Sequence, residues 1–247
     1  MRGMTALAFM TFILVACDGQ RGEQHSDAGP LHTPTVSAGL GRVEGLGVFE
    51  ALMPYLVMEK GFGPASYHVV RTKPLRFPSG RVIAADGIML LPGAEPFTRT
   101  VGAAGAFPIE LLVATYHLDS GVHEEIVLAA VRLSESPGHA LEWARYGESA
   151  SSWTGCYAVD SATGGFFDAD AYGQFGRYFY RPEADLELAE AFTARGGYAL
   201  VLEGRDGDGA IFSSGGGDGC YRTYALLSDA GKPVAFVTDF YDSIPPL

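Results

Sequence analysis

The sequence predicts an α+β fold that is rich in strands, with one mostly antiparallel sheet system and two or three short helices. Glycine occurs 33 times and proline 14 times, which favours many turns and short strands over long helices. Runs rich in Val, Ile and Leu recur from residue 75 onward and are separated by turn-forming residues. Hydrophobic residues make up 47% of the chain, which is enough for a packed core.

The first predicted element of the folded part is a helix over residues 48–60. Val48, Leu52 and Leu56 are spaced as on one face of a helix, and Gly61 follows as an end signal. Pro54 is expected to kink this helix or to end it early. The glycine-rich residues 39–47 before it are out of register for a dinucleotide-binding loop, so no cofactor is expected.

Strands follow, each from a local apolar run. They are predicted over residues 81–91, 107–118, 125–133, 153–159 and 198–203. Turn-forming Asp86-Gly87 breaks the first run, and residues 119–123 join the second and third as a hairpin.

Capping signals predict two helices between the later strands. Asp168 is expected to cap a short helix through Phe175, and Pro182 opens another that extends to Ala194. Gly196-Gly197 ends the second helix. Residues 220–240 form a last predicted hairpin, with its turn at residues 228–231.

The N-terminal residues indicate export and lipid attachment. Arg2 precedes 13 uncharged residues, which is too short to span a bilayer and matches the apolar part of a signal peptide. The end of this run, Leu14-Val15-Ala16-Cys17, resembles the bacterial lipobox. We therefore predict a lipoprotein signal peptide over residues 1–16, a flexible tether over residues 17–38 and a single α+β domain over residues 39–247.

Fatty acyl chains such as palmitate on Cys17 would hold the protein on the exported side of a bacterial membrane, periplasmic or at the cell surface. The alternative is an ordinary cleaved signal peptide with an incidental cysteine. The net charge of -12 makes nucleic acid an unfavourable partner because phosphate backbones repel such a chain.

Three stretches carry a family resemblance. They are LRFPSGRVIAAD at residues 75–86, YAVDSATGGFFDADA at residues 157–171 and GGGDGCYRTYALLSDAGKPVAFVTDF at residues 215–240. Together they resemble the bacterial domain of unknown function 4241 family over residues 73–240. The resemblance implies no activity, so no catalytic residues follow from it.

The remaining cysteines, Cys156 and Cys220, are an even pair in an oxidising compartment and predict a disulfide. Two buried free thiols are the alternative. A disulfide would draw Asp160 close to Asp218.

Clustered aspartates suggest two kinds of chemistry. With Asp86 and Asp239 as further candidates, the pair Asp160 and Asp218 could act as acid and base or bind a hard cation. Asp206 and Asp208 are weaker metal candidates in a segment that resembles part of a calcium loop. The competing interpretation is that aspartates beside glycines only brace turns.

These observations favour a lipid-anchored, non-enzymatic binding domain, of the kind that protects a cell from a protein partner such as a toxin. The known signatures of metalloproteases, serine hydrolases and P-loop proteins are absent from the sequence. The alternatives are an envelope hydrolase with an Asp-based site and a structural module stabilised by a cation.

Overall fold

The computed structural model describes residues 35–37, 40–56, 66–89, 104–144, 156–179 and 198–244, together with residues 181, 188 and 192. Every strand pairing among these residues is antiparallel. The predicted strand-rich α+β fold is confirmed. The described strands are β1 (Thr35–Ser37), β2 (Leu40–Val43), β3 (Ser66–Thr72), β4 (Leu75–Phe77), β5 (Val82–Asp86), β6 (Gly105–Phe107), β7 (Ile109–Leu118), β8 (Gly121–Arg132), β9 (Ala140–Trp143), β10 (Cys156–Val159), β11 (Thr163–Asp168), β12 (Ala199–Glu203), β13 (Asp208–Ser213), β14 (Gly219–Leu227) and β15 (Pro233–Asp239).

The strands form two large sheets and one small one. The first sheet has the order β1-β12-β13-β11-β5, and the second has the order β10-β14-β15-β8-β7-β3-β2 with β9 also paired to β14. Strands β4 and β6 form a separate two-stranded sheet. The predicted hairpins at residues 107–133 and 220–240 are the pairs β7–β8 and β14–β15.

The inner core lies between the two large sheets. Phe166 and Phe212 of the first sheet and Phe236 of the second are fully buried there. Strand β7 contributes side chains to two hydrophobic clusters. Leu111 and Val113 face the inner core, and Leu112 and Ala114 face an outer core on the other side of the second sheet. Because both faces of this strand are covered, it is apolar at consecutive positions and does not alternate.

Each large sheet is covered on its outer side by a helix. A 3₁₀ helix, Gly47–Tyr55, places Phe49 and Leu52 on the outer face of the second sheet. Helix α1, Tyr172–Phe179, buries Phe175 and Phe179 against the outer face of the first sheet. A spacing of four residues places these two rings on one side of α1, so its apolar face sets how it packs.

Two sequence expectations need correction. The helix predicted over residues 48–60 is a 3₁₀ helix over Gly47–Tyr55, and Pro54 lies inside its last turn, where its ring is incompatible with a continuing α-helix. Strand β1, Thr35–Ser37, lies within the predicted tether yet pairs with β12, so the folded part begins before residue 39.

Further strands were not predicted: β2, β3, β4, β6, β9, β11 and β13. The helix expected from Asp168 to Phe175 is α1, which begins later and ends at Phe179.

Several predictions lie outside the described residues. They are the signal peptide at residues 1–16, the lipid-bearing Cys17, the tether up to residue 34, and the helix end at residues 57–61. Of the helix predicted over residues 182–194, Leu188 and Phe192 are described, and both are helical. Among the described residues, no helix has the length and apolar character needed to cross a membrane.

Candidate functional site

Cys156 and Cys220 form a disulfide, with their Cα atoms 5.4 Å apart. Cys156 is in register with Arg222, and Cys220 with Ala158, so the bond joins diagonal neighbours of β10 and β14. Tyr157 and Val159 face the inner core, and therefore the alternating cysteine side of β10 faces outward. The disulfide thus fastens an edge strand of the second sheet from its outer side.

Asp160 and Asp218 both follow the end of this β10–β14 pair. The last paired residues are Val159 and Gly219, which makes Asp160 and Asp218 the next positions in register. Both residues are exposed. The Asp218 carboxylate accepts the N–H of Ala162 at 2.9 Å. Asp218 therefore supports the loop that leads from β10 to β11.

Asp86 is buried at the end of β5 and is surrounded by donors. Its Oδ2 accepts the N–H groups of Asp160 at 2.7 Å and Ser161 at 3.0 Å. Its Oδ1 accepts the N–H groups of Ile88 and Met89 at 2.9 Å and 2.7 Å, and the Ser161 hydroxyl at 2.5 Å. Five donors on one carboxylate hold two loops together and fill its hydrogen-bonding capacity.

Asp239 lies in a different place. Its neighbour Val237 faces the outer core of the second sheet, and alternation puts Asp239 on the same side, with 1% of its surface exposed. Burial raises the pKa of Asp239, and the N–H groups of Ile244 and Tyr241, at 2.7 Å and 3.0 Å, act in the opposite direction. Asp239 therefore braces the C-terminal turn and does not join the Asp86 corner.

The two metal candidates are also engaged. Asp208 is 4% exposed and pairs with Arg76, whose Nη2 and Nε lie 2.7 Å and 3.1 Å from the two carboxylate oxygens. This carboxylate raises the pKa of Arg76 through its hydrogen bonds. Asp206 is exposed beside Arg205, 3.2 Å away. Within the described part of the chain, no group of three or more His, Cys, Asp or Glu side chains is arranged to hold a metal ion.

A cavity of about 620 Å³ opens on the outer face of the second sheet, beside the start of the 3₁₀ helix. Its floor includes Arg71 of β3 and Arg132 of β8, and none of the predicted aspartates lines it. Its walls come from the segment between β2 and the helix, the first helical turn and the loop after β8: Val43, Glu44, Gly45, Leu46, Gly47, Val48, Glu50, Ala51, Glu135, Ser136, Pro137 and Gly138.

Glu110 lies under this floor with its side chain fully buried. Arg71 is directly opposite it across β3 and β7, and donates from Nε to Oε1 at 2.8 Å. Arg132 donates from Nη1 to the same oxygen at 3.0 Å. The other oxygen accepts the N–H of Val48 at 3.2 Å. One buried carboxylate thus ties two guanidinium groups to the start of the helix.

Gly47 is required where the start of the 3₁₀ helix approaches Glu110. It has a positive φ of 56°, and a Cβ on it would lie 2.8 Å from Glu110 Oε2. Any larger residue would therefore meet the carboxylate that holds the floor together.

Sequence reasoning missed Arg71, Glu110 and Arg132. The available signal was Glu110 itself, a single charged residue inside the apolar run of β7. A carboxylate buried in such a strand needs cationic or hydrogen-bonding partners, which directs attention to arginines on neighbouring strands.

A family model described as "Protein of unknown function (DUF4241)" matches residues 75–238 of the 247-residue chain. The matched segment includes β4–β14 and all of β15 except Asp239, and therefore the disulfide, the Asp86 corner, Glu110 and Arg132. Neither the comparison with curated proteins nor the comparison with solved structures gave a match.

Proposed function

The chain belongs to the DUF4241 family, and from that premise we propose that it is a non-enzymatic binding domain held at a bacterial membrane by acyl chains on Cys17. The ligand or partner would be met on the exported side of that membrane. An immunity-type role, in which the domain captures a protein such as a toxin, is the finer form of this proposal. The net charge of -12 favours a basic partner, because opposite charge accelerates encounter.

The observation that carries the proposal is the engagement of the buried candidate acids. Asp86 and Asp239 are 4% and 1% exposed, and both accept N–H groups from neighbouring turns. A general acid or base must reach a proton on the substrate. Carboxylates that are covered and bonded in this way support a structural role, and the charge-lined cavity is an accessible concave feature of the described residues.

The anchor is tested by metabolic labelling with a fatty acid. We expect label on the wild-type protein and none on Cys17→Ser, because the acyl groups attach to the cysteine that becomes the new N-terminus. Label that persists in the Cys17→Ser variant would disprove lipid attachment at this residue.

One observation favours the alternative, an Asp-based envelope hydrolase. Asp160 and Asp218 are exposed and are the next facing positions in register at one end of β10 and β14. Purified full-length protein incubated with isolated cell envelopes separates the two proposals. A binding domain releases no new fragments detectable by mass spectrometry. Fragment release by the wild type that is abolished in both Asp160→Asn and Asp218→Asn would establish the hydrolase instead.

A further inference from the structure

We propose that the cavity beside the 3₁₀ helix binds a small zwitterionic ligand of the short-peptide class. Its carboxylate would bind Arg71 on the floor, and its ammonium group would lie between Glu44 and Glu50 on the wall. The inference rests on the proposed binding function and names a ligand class for it.

The floor of the cavity carries two guanidinium groups that differ in how many of their donors are already used. Glu110 supplies one negative charge to two guanidinium groups, those of Arg71 and Arg132. Arg132 is also bonded to the Ser134 carbonyl and to the Glu135 carboxylate, and its side chain is 12% exposed. Its charge is therefore compensated from two sides.

Arg71 differs from Arg132 because part of its guanidinium group still has free hydrogen-bond donors among the described residues. Its side chain is 31% exposed, and both of its hydrogen bonds to described residues go to Glu110, from Nε and Nη2. Nη1 has no partner among the described residues. A guanidinium group with an open edge pairs with a carboxylate through charge-assisted hydrogen bonds. Arg71 is thus the group on which a ligand carboxylate would bind.

The wall carries the opposite charge. Glu44 follows β2, Glu50 lies in the first turn of the helix, and both are exposed. Neither forms an ion pair with any residue that the structure describes. Two such carboxylates beside a guanidinium group with an open edge favour a ligand that carries both charges. A simple anion would be repelled by the wall, and a simple cation would leave the open edge of Arg71 without a partner.

The size of the cavity fits this class. About 620 Å³ lies within the range of roughly 300–1,000 Å³ that is usual for small-molecule sites. A dipeptide fits such a volume and leaves room for water between its charged ends and the protein.

Isothermal titration calorimetry on the mature acylated protein in detergent tests the inference. The probe is L-alanyl-L-alanine, compared with its C-terminal amide and with its N-acetyl derivative. We expect saturable binding of the dipeptide and a loss of about tenfold or more for each blocked form, since each lacks one charge-assisted contact. Equal affinity for the three compounds, or no binding at about 10 mM dipeptide, would overturn the inference.

Variants locate the contacts. Glu44→Gln/Glu50→Gln is expected to weaken dipeptide binding, and Arg71→Lys to weaken it as well, because lysine keeps a charge for Glu110 but lacks the planar fork. Circular dichroism checks that each variant is folded. The control is Asp119→Asn, an exposed acid in the turn at the far end of β7 and β8, which should bind as the wild type does. Unchanged binding in the Glu44→Gln/Glu50→Gln variant would contradict the proposed ammonium site.

The experiments distinguish an error in the dipeptide-binding inference from an error in the proposed function. Absence of dipeptide binding removes this ligand class and leaves the binding domain intact. Conversion of the dipeptide to alanine, followed by NMR, would instead show an enzyme, and both proposals would be wrong.

Discussion

Replacing Glu110 by Gln should destabilise the fold more than any comparable change at a surface ion pair. The Glu110 side chain is fully buried, and its partners Arg71 and Arg132 are 31% and 12% exposed. Removing one member of a buried ion pair costs about 3–5 kcal/mol, because the remaining charge stays desolvated without a partner. Glutamine keeps one acceptor oxygen, and Arg71 is partly hydrated. We therefore expect a loss of about 3 kcal/mol in the free energy of unfolding.

Urea unfolding followed by tryptophan fluorescence measures this loss, with the disulfide intact in all proteins. Trp143 reports on the second sheet because its ring packs 5.3 Å from that of Tyr224. The matched control is Glu203→Gln, which breaks an exposed pair with Lys73 whose side chains are 37% and 42% exposed. Such a pair contributes less than about 1 kcal/mol. A Glu110→Gln effect no larger than that of Glu203→Gln would refute the reasoning.

Three further predictions use the same assay. The Cys156→Ser/Cys220→Ser variant should lose about 4 kcal/mol in the free energy of unfolding, because the disulfide spans 64 residues and restricts the unfolded chain. An unchanged urea midpoint would argue against the disulfide in solution. Phe175→Ala should lose about 3–5 kcal/mol through a cavity under helix α1, and a loss below about 1 kcal/mol would mean that the helix does not pack there. Burial raises the pKa of Asp239 in the native state above its value in the unfolded state. The contribution of Asp239 to stability therefore becomes more favourable as pH falls through the native pKa, and it levels off below the unfolded pKa. The stability difference between the wild type and Asp239→Asn should therefore shift in favour of the wild type on acidification, and a pH-independent difference would contradict this sign.

Strands with strong apolar character could be predicted from the sequence, and those built around glycine could not. β7 and β15 are runs of Val, Ile, Leu and Phe, and both were found. β11 reads TGGFFD, with two glycines that lower strand propensity, yet it is a central strand between β13 and β5. Its Gly165 is required by the packing, since a Cβ there would lie 2.5 Å from the Phe167 ring. Tertiary contacts therefore decide this strand, and a local pattern does not contain them.

The candidate site could likewise be predicted only in part from the sequence. The pairing of Cys156 with Cys220 followed from counting cysteines in a chain with a predicted export signal, and it placed Asp160 and Asp218 at one end of two strands. The cavity floor depends instead on the register of β3, β7 and β8, which brings together residues far apart in the sequence. Arg71 and Glu110 meet because they are opposite each other in that register. Nothing local to either residue specifies the pairing.

Three aspartates at strand ends share one arrangement, and two of them, Asp86 and Asp239, are among the predicted catalytic candidates. Asp86, Asp168 and Asp239 are each the last residue of a strand, β5, β11 and β15. In all three, Oδ1 accepts the N–H of the residue two positions later, at 2.9, 2.9 and 3.0 Å. A short carboxylate reaches only that far along its own chain, so it can turn the backbone as the strand ends.

The second oxygen of each aspartate then joins the turn to another segment. Oδ2 accepts an N–H from Asp160 in the first case, from Ser79 in the second and from Ile244 in the third. An aspartate that closes an apolar run and precedes a turn is therefore expected to use both oxygens on backbone N–H groups, which leaves neither for a substrate. The Asp86 corner is therefore a poor place for a ligand, whereas Glu44 and Glu50 line the cavity and form no ion pair with any described residue.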